Sequence, residues 1–360
     1  MDNIIILGAS ISGLSAAINL KKAGFEVEVH EKKSYSGKHT NDFQFLENWT
    51  LHEDVLDFLT KINIKTDFYK KEWYALDFLS PSLKKYSGKS PTTLMYLVKR
   101  GRAKDSIDTA LEKQAQNYRI KIIYNSKLKP HEADIIASGP KTPTWIATGI
   151  KFECDCTDKS MVLLDHRLSL QAYSYCIVND RVAEITCCNP FKTKDIKARL
   201  AATIKKFESI LNIKVNNILE RFSASVNFEH LTKAKINSQY FVGEAAGFQD
   251  KFAGFGMVYA FKSGYYAAKS LIENLDYDRL WQKDFLKQLN VSATNRMLYG
   301  RLSNEGFEKL IDVLNSNNFL VTRLRGGNDL QAILKRLYMN SFSLFLRPLL
   351  FWRFGSKMSK

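Results

Sequence analysis

The sequence predicts a mixed α/β fold in which a parallel βαβ nucleotide-binding domain is interleaved with a β-sheet domain and followed by a helical C-terminal region. Three observations support this prediction. An apolar run enters a glycine turn and a small-residue helix at the start of the chain. Residues 149–188 alternate as strands do, and the residues after the strand that ends at position 243 have the pattern of helices.

The opening unit spans residues 4–31 and has the pattern strand, turn, helix, strand, acid. Gly8 favours a tight turn, after which the amides of the helix N-terminus point at a pyrophosphate. Gly13 lets the helix lie close to the strand, and Glu31 stands where a carboxylate binds the hydroxyls of an unphosphorylated ribose. Ser10 replaces the second glycine of the usual motif, and its small side chain can itself bond phosphate. The alternative is an ordinary βαβ unit with a glycine turn.

Length and composition predict a folded protein in a reducing compartment. The 360 residues, 45% of them hydrophobic, can bury a sizeable core. The first residues lack the basic and long apolar regions of a secretory signal, and no run reaches the ~20 apolar residues of a membrane span. A cytoplasmic location is therefore expected.

The cysteines point to neither a disulfide framework nor a metal site. There are five of them, without CxxC spacing, so no bound metal is expected. Most are expected to act as small buried hydrophobes. Cys154 and Cys156 alternate as in a strand, which would place both thiols on one face, so a redox pair remains an alternative.

The formal net charge of +16 would attract phosphates, anionic lipid headgroups or nucleic acid. The alternative is a set of solvated lysine-rich faces. The sequence has no zinc-finger spacing, basic zipper or aromatic motif for binding single strands. Nucleic acid is therefore not an expected partner.

The segments between these landmarks also have helical or strand periodicity. Ser106 is a predicted helix cap, and a Gly-Pro turn at Gly139 ends a buried strand. The predicted helices cover residues 48–62, 106–116 and 194–211, and the predicted strands cover residues 95–101, 120–124 and 133–140.

A second glycine-rich cluster covers residues 241–257. A strand ends at Gly243, Glu244 follows at once, and small residues beside them let a cofactor pass close to the backbone. Gly254 and Gly256 open a long helix whose small residues permit tight packing. Its N-terminal amides are free to meet an electron-rich carbonyl.

The two clusters resemble flavoproteins with a single FAD-binding domain, the aromatic-hydroxylase superfamily, and most of all the geranylgeranyl reductase family. The likeness rests on the opening unit and on segments 98–111 and 243–247, and it becomes faint beyond residue 270. It implies a Rossmann-like FAD-binding domain of the three-layer ββα type, interleaved with a substrate domain whose sheet covers the flavin. The implied FAD-binding domain comprises residues 1–60, 92–145 and 232–275, the substrate domain residues 61–91 and 146–231, and the helical C-terminal region residues 276–360.

The resemblance also implies roles for individual residues. Arg100 would lie beside the pyrophosphate or the ribityl chain, and Glu244, where the family usually has Asp, would bond a ribityl hydroxyl. Helix amides near Met257 would stabilise negative charge at the pyrimidine edge of the flavin. The predicted FAD-binding residues are Gly8, Ser10, Ile11, Ser12, Gly13, Glu31, Lys32, Arg100, Gly139, Gly243, Glu244, Ala245, Gly254, Gly256 and Met257.

Two departures from the family leave the catalytic residues open. Lys251 stands where proline is usual, and it either places a cation near the flavin or reaches solvent, which is the favoured expectation. The family cysteine after the first ribose acid is absent from residues 36–40. Lys38 and His39 are the candidates for a proton donor there, and a merely solvated histidine is the alternative.

The resemblance implies an FAD-dependent oxidoreductase, a reductase rather than a monooxygenase. Such an enzyme delivers a hydride from flavin N5 to an alkene of an isoprenoid or other lipid-like substrate. A monooxygenase and a non-catalytic prenyl- or lipid-binding carrier are the alternatives on the same fold. The electron donor stays open between NADPH or NADH, a ferredoxin and a quinol, since no second nicotinamide-binding unit is present.

The end of the chain, residues 341–360, mixes bulky apolar groups with basic ones. This composition suits the boundary of an anionic membrane, and the segment is too short and too charged to span it. Peripheral membrane association is therefore an expectation. The alternative is a terminal helix that packs its aromatic face on the core.

Overall fold

The computed structural model describes residues 3–37, 40–316 and 329–339. The chain divides into two compact units that alternate along the sequence. The first unit comprises Met1–Trp73, Met95–Thr144 and Ser225–Leu289, and the second unit comprises Tyr74–Leu94, Trp145–Ala224 and Asn290–Lys360.

A six-stranded sheet forms the centre of the first unit. Its strands are β1 (Asn3–Leu7), β2 (Glu26–His30), β8 (Lys121–Ile123), β9 (Ile135–Ile136), β15 (Lys235–Ile236) and β16 (Gln239–Phe241). They lie in the order β15-β16-β9-β1-β2-β8, and all neighbours are parallel except β15 and β16. Ile4 and Ile6 of the central β1 lie on one face and are buried, and Leu7 is buried on the other face.

Three helices of the first unit are α1 (Ile11–Lys22), α3 (Ile107–Asn117) and α5 (Met257–Glu273). Ser106 caps α3 as predicted, since its hydroxyl oxygen accepts the amide of Thr109 at 3.1 Å. α1 packs directly against α5. Ser15 Oγ of α1 donates to the carbonyl of Phe261 in α5 at 3.0 Å, although the two residues are 246 positions apart.

The first unit also contains a three-stranded antiparallel sheet that the sequence did not reveal. Its strands are β3 (Phe43–Glu47), β4 (Lys70–Trp73) and β7 (Met95–Lys99), with β7 in the middle. The helix predicted over residues 48–62 is shorter, α2 (Val55–Lys61). Asp54 fixes its start because its carboxylate accepts the amide of Leu56 at 2.8 Å, and Asn48 Oδ1 accepts the amide of Val55 at 2.7 Å.

A seven-stranded sheet makes up most of the second unit. Its strands are β5 (Ala75–Leu79), β6 (Lys85–Lys89), β10 (Trp145–Glu153), β11 (Lys159–Leu163), β12 (Ser174–Asn179), β13 (Val182–Pro190) and β14 (Ile218–Val226). The order is β14-β10-β13-β12-β11-β5-β6. The helix α4 (Ile196–Leu211) begins slightly later than predicted and packs on this sheet through the buried Phe207, beside Ile150 and Phe152.

Helices follow the last strand and α5. They are α6 (Tyr277–Trp281), a π-helical turn (Gln282–Leu286), α7 (Lys287–Tyr299), α8 (Asn304–Asn315) and α9 (Leu330–Met339). A mixed α/β fold with a Rossmann-like domain, several sheets and a helical C-terminal region is thereby confirmed. No helix within the described ranges has both the length and the hydrophobicity needed to cross a membrane. The basic and aromatic segment 341–360 lies outside the described residues.

All five cysteines are free thiols. β10 ends at Glu153, so Cys154 and Cys156 follow the strand instead of alternating within it as predicted. Burial, and next the hydrogen bond with Cys156, raise the pKa of Cys154 to about 12. Cys154 is therefore a neutral thiol near neutral pH, which disfavours the thiolate that disulfide chemistry requires.

Candidate functional site

The predicted nucleotide turn lies between β1 and α1. Gly8 has a φ of +110°, and a Cβ on it would lie 2.4 Å from the carbonyl oxygen of Ala137. A Cβ on Gly13 would lie 2.1 Å from the carbonyl oxygen of Gly8. The backbone itself therefore requires both glycines, because any side chain would push α1 or the loop after β9 away from the turn.

The N-terminus of α1 is available to an anion. Its first turn contains no acidic residue, and the amides of Ile11 and Ser12 have no acceptor within the helix. Ser10 Oγ accepts the amide of Gly13 at 3.3 Å and donates to the carbonyl of Ala137 at 2.9 Å. The hydroxyl hydrogen of Ser10 is thus used within the turn, and backbone amides remain as the donors for a phosphate. This donor set fits a dinucleotide pyrophosphate.

Glu31 follows β2 and its carboxylate is fixed beside the turn. Oε2 accepts the amide of Ala9 at 3.0 Å, and Oε1 accepts the amide of Lys33 at 3.0 Å. A carboxylate has about four acceptor sites, so sites remain for ribose hydroxyls. The predicted Lys32 is exposed, whereas Lys33 folds back and donates from Nζ to the carbonyl of Gly37 at 2.7 Å. Lys33, which the sequence motif does not single out, is the cation whose charge interacts with Glu31.

Arg100 is held by a buried acid. Its Nε and Nη2 donate to the carboxylate of Asp108 at 2.8 and 3.0 Å, and Nη1 donates to Gln44 Oε1 at 2.7 Å. Burial alone would lower the pKa of Arg100, but the charge and hydrogen bonds of Asp108 outweigh it and raise the pKa overall. The charge of Asp42 and, after it, the charge of Glu244 add to this effect.

The second glycine cluster lies against the first. Gly243 begins a 3₁₀ turn (Gly243–Ala246) with a φ of +58°, and its amide donates to Ser263 Oγ at 2.9 Å. A Cβ on Gly243 would lie 2.6 Å from Ser12 Oγ. Ala245 packs beside a small buried cluster that includes Leu7.

The helix pair α1 and α5 brings the two clusters together. A Cβ on Gly264 of α5 would lie 2.2 Å from the carbonyl oxygen of Ser12 in α1. Glycine at this position lets the two backbones approach more closely than any side chain would permit. Segments from opposite ends of the first unit's sequence thereby form one continuous surface around Ser12.

The loop before α5 is fixed by Asp250. Its carboxylate accepts the amide of Ala253 at 2.6 Å, and its carbonyl accepts the amide of Gly254 at 3.0 Å. Gly254 has a φ of +81°, and Gly256 occupies the N-cap of α5 without a side chain to satisfy the helix amides. The first turn of α5, which begins at the buried Met257, therefore has amides free for a ligand or a neighbouring acceptor.

Comparisons with known proteins support a dinucleotide-binding domain. Residues 6–69 match a family model described as an NAD(P)-binding Rossmann-like domain. A comparison with curated proteins gives no match.

Solved structures resemble the chain over nearly its whole length. A geranylgeranyl bacteriochlorophyll reductase-like protein from Thermoplasma acidophilum has a TM-score of 0.76 at 17% identity, covering 96% of this chain and 98% of that one. A flavoprotein/dehydrogenase from Cytophaga hutchinsonii has a TM-score of 0.64 at 12% identity, covering 94% and 93%. A myxobacterial chondrochloren halogenase, of the FAD-dependent type, has a TM-score of 0.59 at 14% identity, covering 94% and 96%. This chain has the fold of the FAD-dependent oxidoreductases.

Within this flavoprotein fold, Lys251 is buried, which corrects the expectation that it reaches solvent. Its side chain is 7% exposed, and Nζ donates to His230 Nδ1 at 2.5 Å. Burial, and next the charge of Lys251, lower the pKa of His230 to about 4, so the ring is a neutral acceptor at neutral pH. Burial also lowers the pKa of Lys251, against the charge of Glu229. His230 stands in no motif, so nothing in the sequence indicated this pair.

Of the remaining predicted residues, Gly139 has a φ of +82° and open space around the position of a Cβ. Gly139 comes three residues after the end of β9. Ala137 lies between them and packs against Gly8, so a ligand bound at the Gly8 turn could pass beside Gly139. Lys38 and His39, the two candidate proton donors, lie outside the described residues.

Glu47 is a titratable group of this region that sequence analysis did not identify. It is the last residue of β3 and is completely buried, with 0% exposure. Burial raises the pKa of its carboxyl to about 8. Its sequence neighbours, Leu46 and Asn48, belong to no recognisable motif, so only the structure places it against α5.

Proposed function

We propose that this protein is an FAD-dependent oxidoreductase whose cofactor lies across the two glycine clusters of the first unit. The observation that carries the proposal is the contact of Gly243 and Gly264 with Ser12, because it joins the pyrophosphate turn to the second cluster. The flavoprotein and the FAD-dependent halogenase that share the fold support FAD as the dinucleotide.

Each part of the cofactor has a matching group in the chain. The first-turn amides of α1 bind the pyrophosphate, Glu31 accepts hydrogen bonds from the ribose hydroxyls, and Glu244 accepts one from the ribityl chain. The first-turn amides of α5 and the dipole of that helix stabilise negative charge at the pyrimidine edge. The bound FAD would supply the transfer of hydride, and the protein supplies binding, orientation and polarity.

The reaction that we favour is reduction of a carbon–carbon double bond in an isoprenoid or other lipid-like substrate. Its support is the similarity to the geranylgeranyl bacteriochlorophyll reductase-like protein, whose TM-score of 0.76 exceeds the 0.64 of the dehydrogenase and the 0.59 of the halogenase. A monooxygenase is the second candidate, since the halogenase shares the fold over 94% of this chain. Oxygen consumption that depends on substrate would favour the monooxygenase.

A lipid-like substrate would also give a role to the net charge of +16 and to the basic and aromatic residues 341–360. Such groups suit the surface of an anionic membrane. Sedimentation with anionic vesicles, but not with neutral vesicles, is the expected result. Equal binding to both, or to neither, would contradict peripheral association through charge.

The first experiment is a visible spectrum under nitrogen of the protein loaded with FAD and freed of excess cofactor. Flavin bands are expected, and bleaching on addition of NADPH would identify a nicotinamide donor. Bands that persist with NADPH but bleach with dithionite would indicate a ferredoxin or a quinol as donor. A protein that stays colourless refutes the proposal.

Two matched variants localise the cofactor. Gly13→Ala places a Cβ 2.1 Å from the carbonyl oxygen of Gly8 and should abolish flavin retention. Gly300→Ala introduces the same methyl group in the second unit, at a glycine without a positive φ and 3.4 Å from the nearest atom, an ordinary contact distance, and should retain the flavin. Equal retention by both variants would contradict the assigned site.

A further inference from the structure

Glu47 lies in an environment that opposes its negative charge. It ends β3 opposite Met95 of β7, and its side chain has no exposure to solvent. Within the described part of the chain, neither Oε1 nor Oε2 makes a hydrogen bond of normal geometry. Burial of an ionised carboxylate without such partners costs several kcal/mol more than burial of the neutral acid.

Besides the backbone amide of Glu47 itself, three nearby groups affect whether its carboxyl is ionised or neutral. The amide of Val258, in the first turn of α5, is near enough to favour the carboxylate, as is the amide of Glu47 itself. Asp250, from the loop before α5, opposes ionisation, whereas Lys262 of α5 favours it.

Lys262 stabilises the ionised carboxylate of Glu47 only weakly, because its Nζ lies 2.7 Å from the carboxylate of Asp284, which offsets its charge. Burial therefore outweighs the two amides and Lys262, which favour the ionised form, and Glu47 is mainly protonated near neutral pH. The protonated carboxyl lies next to the helix turn that the proposed function assigns to the electron-rich edge of the flavin.

We propose that Glu47 is a proton-binding positioning residue coupled to the redox state of the flavin through the first turn of α5. Negative charge that arrives at this turn on reduction raises the proton affinity of the carboxyl. The inference rests on the proposed function, because it needs the flavin at α5.

The balance of the coupled step is simple. A chemical reductant supplies two electrons to the flavin, and one proton accompanies them. Between about pH 8, above which Glu47 is ionised in the oxidised protein, and the higher pKa of Glu47 in the reduced protein, the carboxylate also binds one proton from solvent and becomes a neutral acid. At lower pH the carboxyl is protonated in both states and takes up nothing.

The expected signature is a change in the pH dependence of the flavin midpoint potential. Each proton taken up makes the equilibrium constant for reduction fall tenfold per pH unit, which is about 30 mV for a two-electron couple. The protein should therefore show the slope of one proton below about pH 8 and of two protons from there up to the pKa of Glu47 in the reduced protein.

The test is a redox titration of the FAD-loaded protein with dithionite and mediator dyes across this pH range. We call the change of slope near the pKa of Glu47 the bend. Glu47→Gln should abolish the bend and leave the one-proton slope throughout. Glu72→Gln is the matched control, because it makes the same change at an exposed position of β4 in the same sheet. It should keep the bend. Identical pH profiles for Glu47→Gln and the unmodified protein would overturn the inference.

A second measurement covers a Glu47→Gln protein that folds poorly. Asp250→Asn retains Glu47 but removes the charge that opposes its ionisation, so the bend should move to lower pH. Reduced-minus-oxidised infrared spectra at about pH 9 should show a new carboxylic-acid C=O band in the unmodified protein. Absence of this band, or a bend that Asp250→Asn does not move, would overturn the inference about Glu47. As long as the protein binds flavin, that result leaves the proposed function intact. Failure to bind FAD at all would overturn both.

Discussion

Replacing Glu47 with glutamine tests for the buried proton without any cofactor. The carboxyl has its ordinary pKa of 4.5 in the unfolded chain, and in the folded protein burial raises the pKa to about 8. Between these values the folded state holds a proton that the unfolded state has lost. Stability that is present below pH 4.5 is therefore lost progressively as the pH rises to about 8.

The magnitude follows from the two pKa values. The difference between 4.5 and about 8, at 1.36 kcal/mol for each tenfold change in proton affinity, amounts to about 5 kcal/mol, of which about 3 kcal/mol is reached at pH 7. Glutamine has nearly the same shape and stays neutral at every pH. The free energy of unfolding of Glu47→Gln, minus that of the unmodified protein, should therefore increase with pH and level off above about pH 8.

The assay is urea unfolding at a series of pH values from about 5 to about 9, followed by circular dichroism and tryptophan fluorescence. Glu72→Gln serves again as the control, because an exposed glutamate should give a small difference that does not vary with pH. A constant difference for Glu47→Gln would mean that Glu47 is ionised in the folded protein, and it would refute the reasoning.

Three other substitutions test the packing. Gly264→Ala puts a Cβ 2.2 Å from a carbonyl oxygen of α1, so we expect a loss of about 1–3 kcal/mol of stability together with weaker FAD binding in a flavin titration. Unchanged affinity would contradict the role of this helix contact. Asp108→Asn leaves the charge of Arg100 poorly compensated, and thermal unfolding should show a loss of about 3 kcal/mol; a loss under about 1 kcal/mol would argue against a buried ion pair. Tyr299→Phe removes a hydrogen bond of 2.7 Å to the carbonyl of Ala172, and urea unfolding should show a loss of about 1 kcal/mol, whereas a gain would contradict the assigned bond.

The opening unit could be predicted from sequence because its signals are local. The structure leaves no room for a side chain at Gly8 or Gly13, as the sequence motif predicts, and Ser106 caps α3 at the predicted position. The positive φ of Gly8, the contact of Gly13 with Gly8 and the Ser106 cap depend on residues a few positions apart, where residue type and conformation are directly linked.

The three-stranded sheet and the length of α2 could not be predicted in this way. The apolar residues of 48–62 fit a helix, but the side chains of Asn48 and Asp54 bind the amides that start α2 and exclude residues 48–54 from it. Trp49 lies within the range of the predicted helix. Its ring instead packs edge-on against the ring of Phe255, in the loop before α5, with 4.9 Å between the ring centroids. A tertiary contact of this kind overrides periodicity, and no pattern in the local sequence contains it.

The candidate site shows the same limit. Sequence and resemblance identified both glycine clusters, but the contact of Ser12 with Gly243 exists only because α1 and α5 pack together. Lys251 was expected in solvent because a long cationic side chain commonly reaches it, whereas His230 supplies a neutral acceptor that keeps the lysine inside. Residue type alone does not reveal burial.

The charges around α5 explain why the proton on Glu47 matters. Lys262 is bound to Asp284 at 2.7 Å, which limits the positive charge it adds near the first turn. With Glu47 neutral, the helix dipole contributes roughly half a positive charge there. An ionised Glu47 would add a whole negative charge beside Val258, which exceeds the contribution of the dipole. The helix N-terminus therefore attracts negative charge only while a residue from the distant strand β3 holds its proton, so a change in pH or a substitution at that one position should change what the turn can bind.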